Sequence, residues 1–441
     1  MRSHWSGRLA FILAASGSAI GLGNIWKFPY ITGENGGGAF VLAYLITILA
    51  VGFPIFIAEI YIGQKAQSNT ITAFDKVRGK STPFKAIGAM GVLSAFLILS
   101  FYSVVGGWIL NFEWAAISGQ FAEKTPDEIS GMLGGLLSDP TRLLAWHSLF
   151  MAITAAIVVG GISKGIERWS KILMPAFFVL LVGLLLFSMT LDGFSQAFAF
   201  LFTPDFSKLT PHALLEAVGH SFFTLSLGMG AMITYGSYLS KKENLIQTAA
   251  AVTFLDTLIA LIAGLVMFSV TFTYGMEPGS GPGLMFSTMP TLFSKMASGT
   301  VLLIAFFALV GFAALTSAIS LLEVVVAYFV EEKGLSQKKA TLMFSGLIWA
   351  VGILCALSFN VFKGSGFDFF DIFDKTTTNI LMPLGGMLTA IFFGWFVPED
   401  EIKRIVGSDG LFSKGLIWIS RIIAPAAVAI VMVVGLINWF S

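Results

Sequence analysis

Apolar residues fall along this chain in eleven long blocks, not in the alternating pattern of strands. The blocks lie at about 9–31, 39–63, 86–117, 145–161, 170–190, 212–238, 245–273, 297–330, 340–361, 370–397 and 415–440. Each meets or nearly meets the ~20 residues that a helix needs to cross hydrocarbon. In lipid every peptide group must be satisfied within the protein, so blocks without a barrel pattern have only the helix open to them. The pattern predicts an all-α membrane protein of about eleven transmembrane helices, one transporter-sized domain over 1–441 with no separate soluble unit.

Composition strengthens this reading. The chain is 56% hydrophobic and 12% charged, more apolar surface than a soluble domain of this length can hide. Lipid solvates such surface directly. The 43 Phe and 47 Gly agree, glycine being frequent where membrane helices pack closely. A net charge of +1 offers no basic surface to nucleic acid. The single cysteine, Cys355, cannot form an intramolecular disulfide. The polar start is short and its apolar block is long and followed by many more, so that block reads as a retained span, not a cleaved signal.

Lysine and arginine set the orientation. With the N-terminus in the cytoplasm, nineteen of the 26 Lys and Arg fall on the inner side. The reading is a multi-pass protein of the cell membrane with Ser441 outside. The loops 118–144 and 274–296 then lie outside. The second carries Pro278, Gly279, Gly281, Pro282 and Gly283, so it is not one regular element; a lid-like hairpin is expected, with a passive loop the alternative.

Two blocks contain stretches that spoil a helix: Gly17 to Asn24 in the first, and Thr224 to Gly230 in the sixth. A glycine inside a helix costs about 1 kcal/mol against alanine. Unwound backbone at membrane depth is tolerated only where it lines a cavity or is buried in protein. Small-residue helix packing is the plain alternative, but hydroxyl and amide side chains cluster at both breaks. Five spans separate them, as in an inverted repeat of five plus five helices with broken helices 1 and 6. The first repeat would cover about 9–190 and the second about 212–397, with one extra helix at about 415–440. Half-helix amino ends attract a carboxylate, and freed carbonyls attract a cation.

The motifs give this a family. His4-Trp5-Ser6-Gly7-Arg8, the glycines from Gly17 to Asn24, Ile25-Trp26-Lys27-Phe28-Pro29-Tyr30 and Glu34 to Phe40 resemble the neurotransmitter:sodium symporter family, close to its bacterial amino-acid transporters. Gly161 to Arg168, Thr203-Pro204-Asp205, Phe222 to Gly228 and Leu315-Thr316-Ser317 extend the resemblance over nearly the whole chain. It implies sodium-coupled symport of an amino acid and two sodium sites, and no enzyme.

Carried over by motif, the first sodium would meet the Ala19 carbonyl, Asn24, Thr224, Asp256 and the substrate carboxylate. The second would meet the carbonyls of Gly17, Ile20 and Ala313 and the hydroxyls of Thr316 and Ser317. Taken singly, those two hydroxyls read equally as helix-packing groups bonding a carbonyl one turn back. The substrate would lie between the breaks. The Gly21 and Gly23 amides and the Tyr102 hydroxyl would meet its carboxylate, and the Phe223 and Ser226 carbonyls, with Ala19, its amine; Leu22 and Thr224 are also expected among its contacts. Ile98, Met229, Ser226, Ser317 and Leu321 would surround its side chain, which favours a hydrophobic amino acid. The resemblance lacks the first-break aspartate of the amine carriers. Met229 stands where many members have phenylalanine, and a flexible thioether suggests room for aromatic substrates.

Charged groups inside the membrane are functional expectations by default. Asp256 replaces the asparagine common in chloride-requiring relatives, and Ala260 one turn on lacks a hydroxyl, so chloride independence is expected. His220 stands where the family has glutamine. Glu59 resembles the buried glutamate that accepts amides from the sixth-span break. Lys27 and Asp374 resemble the outer gate pair, with Asp371 a competing partner; Arg2, Trp5, Tyr238 and Glu331 resemble the inner gate. Two other readings keep the same pocket: an amino-acid sensor without turnover, and a proton-coupled exchanger using Asp256 or His220. A membrane enzyme would need a nucleophile and base at a recognisable spacing, and the sequence shows none.

Overall fold

The computed structural model describes residues 4–122, 124–278, 281–296 and 298–440. Among these residues all regular structure is helical. Nine helices are long and apolar enough to cross a membrane: Gly38–Ala66, Lys85–Ile117, Pro140–Val158, Ile162–Ser188, Leu245–Thr273, Gly299–Lys333, Gln337–Leu357, Phe369–Phe396 and Leu411–Trp439. A further span consists of Arg8–Ala19 and Gly23–Glu34, bent by 52° at the first break. The sixth is split into Pro211–Thr224 and Ala231–Gly236, and its halves are too short to cross singly. Counting each split span once gives the eleven expected from hydropathy.

Local sequence sets most of the ends. Asp139 accepts a hydrogen bond from the Arg142 amide (3.0 Å) and Pro140 opens the first turn, so the fourth span starts earlier than its apolar block. Gly161, at φ 64°, separates it from the fifth, which begins at Ile162 and not near 170. That extension carries Lys164, Glu167 and Arg168. The fifth span is wound through a π-helical turn, Ile162–Glu167. The loop 118–144 holds a helix, Pro126–Ser138, with a complete Thr125/Glu128 capping box.

The described residues of the loop 274–296 include two short helical pieces, Gly281–Leu284 and Thr288–Ser294. Leu284, Met285 and Phe286 are buried at its tip. The Phe286 ring packs edge-on to Trp26, Trp108 and Phe112, at 6.1, 5.8 and 5.1 Å, and so covers that side of the core. Gly279 lies outside the described residues. The last span is the most exposed, presenting Ile422, Ile430, Val433 and Ile437 outward, as a span at the lipid boundary does.

Candidate functional site

The two breaks face one another. The first ends its inner half at Ala19, and Ile20 leaves the helix at ψ 96°. The sixth unwinds over Leu225 to Gly230, with Ser226, Gly228 and Gly230 at φ 54°, 75° and 74°. Ser226 and Gln67 are the two non-glycine residues with positive φ among those described. Strain of this kind persists only where surroundings over-determine it. Here the Ser226 hydroxyl donates to the Ser18 carbonyl at 2.8 Å, and the Ser317 hydroxyl to the same carbonyl at 3.2 Å. Glu59, fully buried, accepts the Gly228 amide at 2.7 Å through Oε1. The sequence led us to expect several amides on this carboxylate. It holds this one, and Oε2 has no hydrogen-bond partner, because the turn presents its other amides elsewhere.

A contracted cavity of about 30 Å³ separates the breaks. Eleven of the twelve expected substrate contacts line it: Ala19, Gly21, Leu22, Gly23, Ile98, Tyr102, Phe223, Ser226, Met229, Ser317 and Leu321. Thr224 is not on the wall. Its hydroxyl turns away, toward Asp256. Ser18 and Ser320, which the motifs did not single out, complete the lining and hydrogen-bond to each other at 2.7 Å. A methyl group on Gly21 would lie 2.7 Å from the Ser317 oxygen and 3.4 Å from the Tyr102 hydroxyl. Glycine there leaves the space into which the Tyr102 hydroxyl, without a hydrogen-bond partner of its own, is directed.

Next to this cavity Asn24, Thr224 and Asp256 form a fully buried polar cluster. Asn24 Nδ2 donates to Thr224 Oγ1 (3.0 Å), the Asp256 carbonyl (3.0 Å) and Asp256 Oδ1 (2.8 Å), while its Oδ1 accepts the Gly21 amide (3.2 Å). The Thr224 hydroxyl donates to Asp256 Oδ2 at 2.9 Å. A carboxylate, an amide oxygen, a hydroxyl and the break's carbonyls make a set of hard oxygen donors, which suits a small alkali cation. Among the described residues no cluster of three His, Cys, Asp or Glu side chains could hold a transition metal. Tyr44 was not foreseen. Its buried hydroxyl lies beside the Asp256 and Thr224 side chains and its ring lies 5.3 Å from His220. His220 is packed between Tyr44 and Phe28, and neither ring nitrogen is hydrogen-bonded.

The second donor set gathers where the first span crosses the eighth. A Cβ on Gly17 would sit 3.1 Å from that of Thr316, so the two backbones approach closely. Thr316 Oγ1 donates one turn back, toward the Phe312 and Ala313 carbonyls at 3.0 Å each. That is the helix-packing geometry, and it leaves the hydroxyl lone pairs free to meet a cation. Ser317 bonds the Ser18 carbonyl beside this crossing, and Ile20 closes the half-helix, its amide donating to the Ser16 carbonyl at 2.7 Å.

The gates differ more from expectation. No ion pair within 4.0 Å joins Lys27 to Asp374. The lysine lies 5.1 Å above the Phe223 ring, a cation–π contact, and Asp371 is taken by Lys375 at 2.8 Å, one helical turn along. The other gate is closed. Trp5 is buried, donating through Nε1 to the Tyr235 carbonyl (3.0 Å) and through its amide to the Tyr238 carbonyl (3.2 Å). Tyr238 donates to Glu323 at 2.9 Å, and Gln337 donates to the other oxygen of that carboxylate at 3.0 Å. Ser6 and Lys171 both bond Glu167. Glu331 accepts the Asn69 amide at 2.7 Å. Arg2 lies outside the described residues. Glu323 and Glu167 were legible as charges within or beside apolar blocks, by the rule that singled out Glu59.

Comparison with known proteins agrees with this geometry. The sodium-dependent transporter YhdH of Bacillus subtilis, itself uncharacterised, is 38% identical over 434 residues, covering 97% of this chain and 96% of that one. An uncharacterised sodium-dependent transporter of Haemophilus influenzae is 37% identical over 98% of both chains. The crystal structure of MhsT in complex with L-phenylalanine superposes with a TM-score of 0.90, at 45% identity, over 99% of this chain and 100% of that one. The family model "Sodium:neurotransmitter symporter family" matches residues 2–128 and 137–441. This multi-pass membrane protein therefore belongs to the sodium:neurotransmitter symporter family and is a sodium-dependent transporter.

Proposed function

We propose that the protein carries hydrophobic L-amino acids, aromatic ones included, into the cell by sodium-coupled symport without a need for chloride. One observation carries the reading: the cavity between the two unwound segments adjoins the Asn24–Thr224–Asp256 cluster, so a substrate carboxylate at Gly21 lies beside the first cation. Occupation of one site then favours the other by direct charge contact. The binding of phenylalanine by MhsT supports the substrate class. Asp256 supplies a permanent negative charge to balance sodium, which supports chloride independence. The second sodium would hold the first span against the eighth at Gly17, Ile20, Ala313, Thr316 and Ser317. Alternating access follows if the unit containing the split spans rocks against the remainder around a midplane site. The bias of Lys and Arg to one side supports an N-terminus in the cytoplasm and a C-terminus outside.

The test is uptake of labelled phenylalanine into proteoliposomes. Replacing sodium by choline at fixed pH is expected to lower accumulation at least about tenfold, the scale of a typical coupling energy. Replacing chloride by gluconate should leave the rate within about twofold. Binding without accumulation would point to a sensor, and accumulation in choline to a proton-driven exchanger.

Met229 offers a second measurement. It sits on the cavity wall between Gly228 and Gly230, both at positive φ, in a turn that yields more readily than a helix. Met229→Phe fills the space with a rigid ring. The preference for phenylalanine over alanine, read by competition, is expected to fall about tenfold. An unchanged ratio would make Met229 ordinary packing.

A further inference from the structure

The segment that follows the second span makes the contacts that join the substrate break to the inner gate. Gln64 Nε2 donates to the Ser240 and Glu243 carbonyls (2.8 and 3.2 Å), and Gln67, at φ 48°, donates to the Leu239 carbonyl (2.8 Å). These bonds tie the end of the second span to the end of the sixth, so the two move together. Asn69 is where this unit grips the eighth span. It is fully buried, and its amide donates to Glu331 Oε2 at 2.7 Å. Its Nδ2 reaches Glu331 Oε2 at 3.3 Å and Glu332 Oε1 at 3.1 Å. Meanwhile its Oδ1 caps the helix Thr70–Arg78 by accepting from the Ile71 and Thr72 amides (3.1 and 3.2 Å).

The next residue reaches the other way. Thr70 Oγ1 donates to the Gly230 carbonyl at 3.1 Å and accepts from Thr234 Oγ1 at 2.7 Å. Gly230 follows Met229 of the cavity wall and opens the inner half of the sixth span. A Cβ on Gly230 would lie 2.9 Å from the Thr70 methyl, so this turn cannot change shape without displacing Thr70. Two adjacent residues at the start of one helix thus touch the substrate break and the gate carboxylates.

We propose that Asn69 and Thr70 are positioning residues for transport: Asn69 holds the inner side shut by clamping Glu331 and Glu332, and Thr70 makes that clamp respond to the state of the sixth-span break. Inward opening, as the symport reading requires, separates the sixth span from the eighth and so must break the Asn69 bonds. A substrate against Met229 alters the Gly228–Gly230 turn, and Thr70 carries that shift one residue along to the clamp.

The test uses a reporter cysteine at Ala327, buried on the eighth span one turn toward the membrane midplane from Glu331, with the native Cys355 fully buried and silent. Labelling by a membrane-impermeant maleimide from the inner side reads inward opening in the full-length protein. Asn69→Ser keeps a capping oxygen and loses Nδ2; Asn69→Asp keeps the cap and repels both carboxylates. Labelling of Ala327→Cys in sodium is expected to rise at least about tenfold with Asn69→Ser, which loses the two Nδ2 contacts to charged groups, and further with Asn69→Asp. Uptake should lose maximal rate with little change in KM. In Thr70→Val the substrate-induced change in labelling should fall below about half, and Thr70→Ser should restore it. Labelling equal to the parent in both Asn69 variants, or a full substrate response in Thr70→Val, would overturn the proposal. Absence of sodium-driven uptake in the parent would instead remove the symport reading, since the labelling comparison needs no transport.

Discussion

Asp256→Ala is expected to abolish sodium-driven uptake, lowering the rate at least about 100-fold, or about 2.7 kcal/mol at 1.36 kcal/mol per decade. The carboxylate is fully buried and accepts from both Asn24 and Thr224. It is the one acidic side chain in the cluster, so a cation entering there has no other fixed counter-charge than the substrate itself. Alanine removes that charge and leaves the Thr224 hydroxyl and an Asn24 amide proton without their acceptor. Asp256→Asn separates charge from shape. The asparagine keeps an oxygen for the cation and nearly the same volume, but the site then holds an uncompensated positive charge in a low-dielectric interior. The expected result is weak uptake that chloride stimulates, measured as the ratio of initial rates in sodium chloride and sodium gluconate. Sodium-stimulated uptake by Asp256→Ala at the parent rate would remove Asp256 from the coupling mechanism and with it the account of chloride independence.

The spans were legible because lipid imposes a length and a polarity on every crossing, and both are visible in one dimension. Their ends were less so. The fifth span runs inward past its apolar block through Lys164, Glu167 and Arg168, because Gly161 and not the loss of hydropathy ends the preceding turn. At the membrane surface a helix costs nothing extra for carrying charge, so composition stops reporting its boundary.

The breaks were legible for a different reason. Paired glycines within an apolar block have few physical uses, and the two pairs fall at matching places. What sequence could not supply was which groups from distant spans meet there. Tyr44 lies some twenty residues after the first break in sequence, yet its ring packs beside His220 of the sixth span. Asn69 reads as an ordinary helix cap, which it is, and its second role depends on carboxylates 262 and 263 positions away. The outer pair shows the opposite limit. Lys27 and Asp374 were expected as a pair by motif, but no ion pair within 4.0 Å forms and the ammonium lies instead over the Phe223 ring. Arginine, with its fork, would bind one partner more selectively.

Gly228→Ala should be the most damaging change of a single methyl group in the molecule. At φ 75° an alanine costs about 1–2 kcal/mol in backbone energy alone. The added Cβ would also stand 2.1 Å from the Met382 carbonyl oxygen, a backbone atom of the tenth span that cannot swing aside. Relief requires the turn to withdraw, and the Gly228 amide is the group that Glu59 holds. Withdrawal leaves a buried carboxylate without this donor, a further penalty of about 1–3 kcal/mol. The turn that carries Ser226 and Met229 into the cavity therefore cannot keep its shape. Uptake and sodium-dependent phenylalanine binding are both expected to be lost, with a fall in melting temperature of the purified protein. Glu59→Gln discriminates between steric and electrostatic causes, because its amide oxygen still accepts from Gly228 while the charge is gone. It should retain binding and melt within a few degrees of the parent, the scale of about 1 kcal/mol in a large domain. If Glu59→Gln instead fails as completely as Gly228→Ala, the carboxylate charge, and not the fit of the turn against Met382, shapes the sixth-span break.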